Sequence, residues 1–173
     1  MNSREAVFED KLLYEDFLKI SKAHPEYTAV YDSLGSMSYG ELLDLSLNIA
    51  KKLREESVEA GEKIIISAPK NRYQVASVLA TLFIGGVYVP VDINSPQKRA
   101  ESIILQCDSK IVLKTTDVKV QGNEKCLHID VNQLTNENKI DFKCTTVQTK
   151  EPAYVIFTSG TTGTPKGVII DRI

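Results

Sequence analysis

The 173-residue chain is poor in the groups on which several classes of protein depend. Its cysteines are three, an odd number, set far apart at Cys107, Cys126 and Cys144 with no C-x-x-C pair. That excludes a disulfide framework and a thiolate zinc site, and fits reduced thiols in a cytoplasmic protein. The two histidines, His24 and His128, have no partner cluster, so no metal site is predicted and each reads as an ordinary surface or edge residue. Net charge is only −2, which gives no electrostatic case for nucleic acid or an acidic membrane. The first residues include Arg4, Glu5, Glu9, Asp10 and Lys11 and hold no apolar signal-peptide core. Val75 to Val91 is free of charge, but Ser77, Thr81, Gly85, Gly86 and Pro90 interrupt it. A buried helix followed by a core strand suits it better than a membrane span.

The remaining composition, 42% hydrophobic and 25% charged, is that of one ordinary globular domain with a sizeable core. Phe8, Leu12, Leu13, Phe17 and Ile20 recur at helical spacing, predicting a helix over 9–23 that ends near His24-Pro25. Tyr27 to Tyr31 reads as a strand, followed by a turn through Asp32 to Gly35. Ser38 and Glu41 form a capping-box pattern ahead of Leu42, Leu45, Ile49 and Leu53 on one helix face. The charges around Lys51-Lys52 and Arg54-Glu55-Glu56 then read as its solvated face. Lys63 to Ser67 is a short buried strand. Asn71 is a plausible cap for a helix burying Val75, Val78, Leu79, Leu82 and Phe83.

Gly85-Gly86 releases the chain into the strand Val87 to Asp92. Ser95-Pro96 starts another helix, with serine at the cap and proline in the first turn. Lys110 to Lys114 encloses a further strand. From Thr115 to Lys150 the pattern weakens, apart from a short strand near Cys126 to Val131, and the segment reads as a peripheral part of the same domain. Strands alternating with helices of ten to fifteen residues predict an α/β fold: βαβ units forming a mainly parallel sheet flanked by helices.

One stretch stands apart. Tyr154 to Ile170 reads as strand, loop, strand. The loop, Thr158-Ser159-Gly160-Thr161-Thr162-Gly163-Thr164-Pro165-Lys166-Gly167, holds three glycines, five hydroxyls and a lysine. Glycine permits backbone shapes that point several N–H groups at one acceptor, and the hydroxyls and lysine add donors and positive charge. The implied ligand is an oxygen-rich polyanion such as a nucleotide phosphate. This is not a Walker loop: Pro165 stands where that motif needs its second glycine, and Gly167 where it needs serine or threonine. The β-branched run Val168-Ile169-Ile170 favours a strand next, so no helix N-terminus receives the phosphate. A tight surface turn is the bland alternative, and the hydroxyls and lysine at this spacing argue against it.

Thr158 to Gly167 resembles the phosphate-loop signature of the adenylate-forming (AMP-binding) superfamily. That resemblance implies ATP joined to a carboxylate, giving an acyl-adenylate and pyrophosphate, with the acyl group then passed to a thiol. The binding residues carried over are Thr158, Ser159, Gly160, Thr161, Thr162, Gly163, Thr164, Lys166 and Gly167; no catalytic and no metal-ligating residue is carried over. Gly85 to Asp92, with Pro96 and Arg99, is similar to the amino-acid-activating branch, the adenylation domains of nonribosomal peptide synthetases. Ser38 to Leu42 resembles that branch's first motif. Tyr88, Asp92 and Arg99 are read as packing and turn residues.

The resemblance implies that residues 1–173 are the N-terminal portion of an adenylation domain, an incomplete adenylate-forming fold without the substrate pocket and C-terminal domain. It implies ATP and Mg2+ as cofactors, with no magnesium ligand in this chain, and an amino acid or other carboxylic acid as substrate. A carrier protein with a phosphopantetheine thiol and the remainder of the domain follow as partners. Such a fragment is expected to be inactive alone. Its parallel sheet, ending at a β-branched strand, is expected to be aggregation-prone or loosely packed. Two alternatives stay open: a fragment of a D-alanine–carrier protein ligase or other acyl-adenylate ligase, and a nonenzymatic nucleotide-binding or docking module.

Overall fold

The computed structural model describes residues 12–116, 118, 126–134, 142–158 and 165–172. In chain order these form α1 (Glu15–Ala23), β1 (Thr28–Asp32), β2 (Gly35–Ser38), α2 (Tyr39–Glu55), β3 (Lys63–Ser67) and α3 (Arg72–Phe83). They continue with β4 (Val87–Pro90), α4 (Gln97–Cys107), β5 (Ile111–Lys114), β6 (Leu127–Asp130), a 3-10 turn (Val131–Gln133), β7 (Pro152–Thr158) and β8 (Lys166–Asp171). β1 and β2 form a separate antiparallel hairpin. The main sheet has the order β6-β5-β3-β4-β7-β8. Its first five strands run parallel, and β8 returns antiparallel along β7. The expected α/β architecture with a mainly parallel sheet is the one observed.

Strand periodicity builds the layers. Ile64 and Ile66 point into a core shared with Leu45, Ile49 and Leu53 of α2 and Ala76, Ala80 and Phe83 of α3. Ile65, between them, points the other way and packs with Val87, Val89 and Val112 against Ile103, Ile104 and Cys107 of α4. Both faces of the central strands are therefore covered, as a parallel sheet requires. α4 alone supplies the second cover among the described residues. β8 is exposed along its whole length.

Local rules account for most element boundaries. α2 begins in the predicted capping box: the Glu41 N–H donates to Ser38 Oγ (3.2 Å) and the Ser38 N–H to Glu41 Oε2 (2.7 Å). Asn71 caps α3 by accepting from the Tyr73 N–H at 3.0 Å. α3 ends in a Schellman turn, with the Gly86 N–H bonded to the Thr81 carbonyl and the Gly85 N–H to that of Leu82. Gly85 sits there at φ +77°, where a side chain is strained.

Several expectations are corrected. α1 starts at Glu15, after a turn closed by its N–H and the Leu12 carbonyl; residues 9–11 of the predicted helix lie outside the described residues. Gly35 to Ser38 is not simply the end of a turn but a strand, because the Leu34 N–H bonded to Asp32 Oδ1 tightens the bend enough for β2 to pair back on β1. Pro96, not Ser95, occupies the N-cap of α4, since Ser95 is drawn into a turn by its N–H bond to the Asp92 carbonyl. Val75 is 39% exposed and Val78 half-buried, because α3 seats its Ala76–Ala80–Phe83 side instead.

The segment over 142–149 is also less peripheral than its composition suggests. The Thr145 N–H donates to the Phe83 carbonyl (2.8 Å), and Arg54 donates to the Lys143 carbonyl (2.6 Å) while lying 3.9 Å over the Phe142 ring. Among the described residues no helix is long and apolar enough to cross a membrane, and the stretch from Val75 divides into α3 and β4 as expected.

Candidate functional site

β7 lies parallel to β4 with Tyr154 opposite Tyr88, so it delivers Thr158 to the carboxyl edge of the parallel strands. That edge is where open α/β sheets hold ligands. β8 then returns, placing Lys166 opposite Thr158 and Gly167 opposite Phe157. Of the predicted binding residues, Thr158, Lys166 and Gly167 are thus gathered on the last two rungs of one hairpin. Ser159, Gly160, Thr161, Thr162, Gly163 and Thr164 lie outside the described residues.

Lys166 is exposed and makes no ion pair with any described residue. Gly167 has a packing reason to lack a side chain: a Cβ there would meet Val155 Cγ1 at 3.0 Å and Phe157 Cζ at 3.1 Å. The Phe157 ring covers the glycine, and a bulkier residue would push the two strands apart.

The segment after Gly85 supports this hairpin. The Tyr88 and Tyr154 rings stack with centroids 4.9 Å apart and planes 20° from parallel. Burial, with Tyr154 as the lesser cause, pushes Tyr88 up to about 12, so it stays a neutral phenol and acts by packing. Asp92 Oδ1 accepts from the Asn94 N–H at 2.8 Å and shapes the turn into α4. Arg99 reaches from α4 to donate, through NH2, to the Phe157 carbonyl at 3.0 Å. Tyr88 and Asp92 fill the packing and turn roles expected of them. The Arg99 bond is more than packing, and one sequence signal could have found it. Lys98 and Arg99 put two cations in the first turn of a helix, where the dipole disfavours them unless they are needed elsewhere.

A second arginine went unread. Arg172, 2% exposed, donates through NH2 to the carbonyls of Gly85 (2.6 Å) and Gly86 (2.9 Å). Its own N–H bonds to the carbonyls of Thr149 and Glu151. Nε and NH1 are buried without a partner among the described residues, and burial pulls its pKa below the ordinary arginine value. The far end of the hairpin is thereby fastened to the turn between α3 and β4.

α3 and α4 leave adjacent strands, β3 and β4, for opposite faces of the sheet, which opens a crevice at the carboxyl ends of that pair. A cleft of about 430 Å³ lies there, lined by Ala68, Pro69, Lys70, Gln74, Pro90 and Asp92 among others. The positive end of α3 is not open to it for an anion. The Arg72 N–H already donates to Asp32 Oδ2 (3.0 Å), and Asn71 takes the next N–H. Among the described residues no group of three or more His, Cys, Asp or Glu is placed to hold a metal ion.

The family model for AMP-binding enzyme matches residues 17–172. The chain belongs to the AMP-binding enzyme family. Within that family it is similar to synthetases: it is 32% identical over 166 residues to nonribosomal peptide synthetase GRA1 of Gibberella zeae, covering 94% of this chain and 2% of that protein. It is 34% identical over 168 residues to syringomycin synthase SyrB1 of Pseudomonas syringae pv. syringae, covering 92% and 26%. The nonribosomal peptide synthetase FmoA3, solved with AMPPNP bound, superposes with TM-score 0.83 at 29% identity over 93% of this chain and 17% of that one.

The N-terminal subdomain of Klebsiella oxytoca NpsA shares the fold, with TM-score 0.79 at 23% identity, covering 94% of this chain and 42% of that one. The chain of this AMP-binding family member thus corresponds to the N-terminal part of a nonribosomal peptide synthetase adenylation domain. It spans 2% and 26% of the length of those two curated relatives.

Proposed function

We propose that this chain supplies the β- and γ-phosphate cradle of an ATP-dependent amino-acid adenylating enzyme and is inactive by itself. The observation that carries the reading is the β7–β8 hairpin. It sets Thr158 and Lys166, which has no ion pair among the described residues, side by side at the carboxyl edge of the sheet, on either side of a loop rich in glycine and hydroxyls. Those donors fit a polyphosphate: Lys166 offers a point charge, Thr158 a hydroxyl, and Gly167 keeps the strand close under the Phe157 ring.

ATP, when bound, supplies the phosphoanhydride that activates a carboxylate, and the chain's own part is to hold the departing phosphates and offset their charge. Adenylation also requires the two anions to be brought together and further charge to be neutralised. We assign no ligand for Mg2+, adenine, ribose or carboxylate to this chain. In the complete enzyme an aminoacyl-AMP and pyrophosphate would form, and a carrier-protein thiol would be loaded next.

The test is twofold. ATP–pyrophosphate exchange with pooled amino acids is expected to be absent for the 173-residue chain, and exchange by this chain alone would overturn its inactivity. Titration with ATP is expected to shift the backbone signals of Thr158, Lys166 and Gly167. Lys166→Ala should weaken that binding by about 1–3 kcal/mol, one charge-assisted hydrogen bond. Unchanged affinity removes Lys166 from the site.

A further inference from the structure

The parallel pairing that binds β7 to the body of the sheet centres on Tyr88 and Tyr154. Phe157 lies three residues farther along β7, one position past the point where β4 ends in that register. There the support changes character. The Phe157 carbonyl accepts from Arg99 at 3.0 Å, and the Phe157 ring joins the cluster that α4 builds with Ala100, Ile103 and Ile104. The carboxyl end of β7 is thus gripped by a helix, through one guanidinium and one ring.

Arg99 is half-buried, and among the described residues it forms no ion pair. Among those residues, the Phe157 carbonyl is the partner that its charge meets. The bond ends one residue before Thr158, where the glycine-rich loop begins. A guanidinium carries its charge at any working pH, so the single bond from NH2 to the carbonyl is charge-assisted.

We propose that Arg99 is a positioning residue for the phosphate site: by holding the Phe157 carbonyl it sets the direction in which β7 presents Thr158 to a polyphosphate. The proposal rests on the reading of the loop given above. It adds that the end of β7 is held from α4, a helix outside the hairpin. Arg99 acts through the backbone, while Lys166 acts by its charge.

The experiment uses the 173-residue chain, inorganic tripolyphosphate as probe, and the variants R99M, R99K and K166A, followed by backbone NMR. Without ligand, R99M should move the Phe157 and Thr158 backbone signals and leave those of β3 and β5 in place. R99K, which keeps a donor of similar reach, should restore much of the original pattern. With ligand, R99M should bind about tenfold more weakly, the loss expected if one hydrogen bond from the misdirected Thr158 to the anion is given up. The slope of affinity against salt should stay unchanged in R99M but fall in K166A, because only Lys166 meets the anion directly.

Tripolyphosphate binding of R99M equal to the unmodified chain overturns the role of Arg99 and leaves the loop reading standing. Failure of the unmodified chain to bind defeats the loop reading, and the positioning role with it. A reduced salt slope in R99M, with Phe157 signals unmoved, would make Arg99 a direct anion ligand and overturn the proposal. Should R99M fail to fold, R99K alone decides: affinity and Phe157 signals must change together or not at all.

Discussion

Replacing Gly85 by alanine tests the joint on which three parts of the molecule meet. Gly85 closes α3 in the left-handed region at φ +77°, and its carbonyl receives both the Gly61 N–H (2.9 Å) and Arg172 NH2 (2.6 Å). An added Cβ would stand 2.8 Å from Val147 Cγ1 and 3.1 Å from Ala60 Cβ. Left-handed backbone costs an L-residue about 1–2 kcal/mol. Overpacking at such contacts adds about 1–3 kcal/mol. The sum, about 2–5 kcal/mol, is a large share of the 5–15 kcal/mol typical of a domain.

Gly61 separates the two causes, because it has nearly the same φ, +82°, and nothing within 4 Å of an added Cβ. Gly61→Ala should therefore lose only about 1–2 kcal/mol. Urea unfolding followed by circular dichroism gives both values under one set of conditions. Equal losses in the two variants would refute the reasoning, since they would mean that Val147 and its neighbours are not seated against Gly85.

Asp32, gripped by the Arg72 side chain and then by the Arg72 N–H, is held well below the usual carboxylate range. A carboxyl depressed by folding stabilises the protein above its unfolded pKa, near 3.9, and loses that contribution as pH falls further. The stability gap between the unmodified chain and Asp32→Asn should stay constant from about pH 7 to 5 and shrink below about pH 4; urea midpoints that keep the gap unchanged at pH 3.5 would count against the ion pair. Burial pushes the Cys107 thiol up to about 11. Iodoacetamide at pH 8 should leave Cys107 unlabelled in the native chain and label it in urea, as peptide mass mapping would show; rapid native labelling would mean that α4 is not packed on the sheet.

Much of this fold could be read directly where the cause is local. The Ser38–Glu41 capping box, the apolar run Ile64 to Ile66 and the break at Gly85-Gly86 each depend on residues within a few positions of one another, and each stands where expected. β2 escaped notice because Gly35-Ser36-Met37-Ser38 has almost no strand character and pairs only through the bend at Asp32. Which side of α3 is buried was misjudged because that helix is apolar nearly all round, so tertiary packing chose Ala76 and Ala80 over Val75. The strand–loop–strand pattern matches β7 and β8, which carry Thr158, Lys166 and Gly167 on their last rungs. The cations in the first turn of α4 flag Arg99, but the partners of both arginine tethers were out of reach for another reason. Arg99 and Phe157 are 58 positions apart, and Arg172 and Gly86 are 86 apart, so no window of sequence contains both partners.

The strand order has a consequence for how the molecule comes together. β3, β4 and β5, the middle of the sheet, are consecutive in the chain and fall within residues 63–114, whereas β7 and β8 begin only at Pro152. Contacts between near neighbours in sequence close cheaply and early, and distant ones late. During synthesis the central strands and the three helices that cover them emerge before the hairpin exists. The β7–β8 hairpin therefore arrives after them, docking onto a surface that Tyr88 and Arg99 have already prepared.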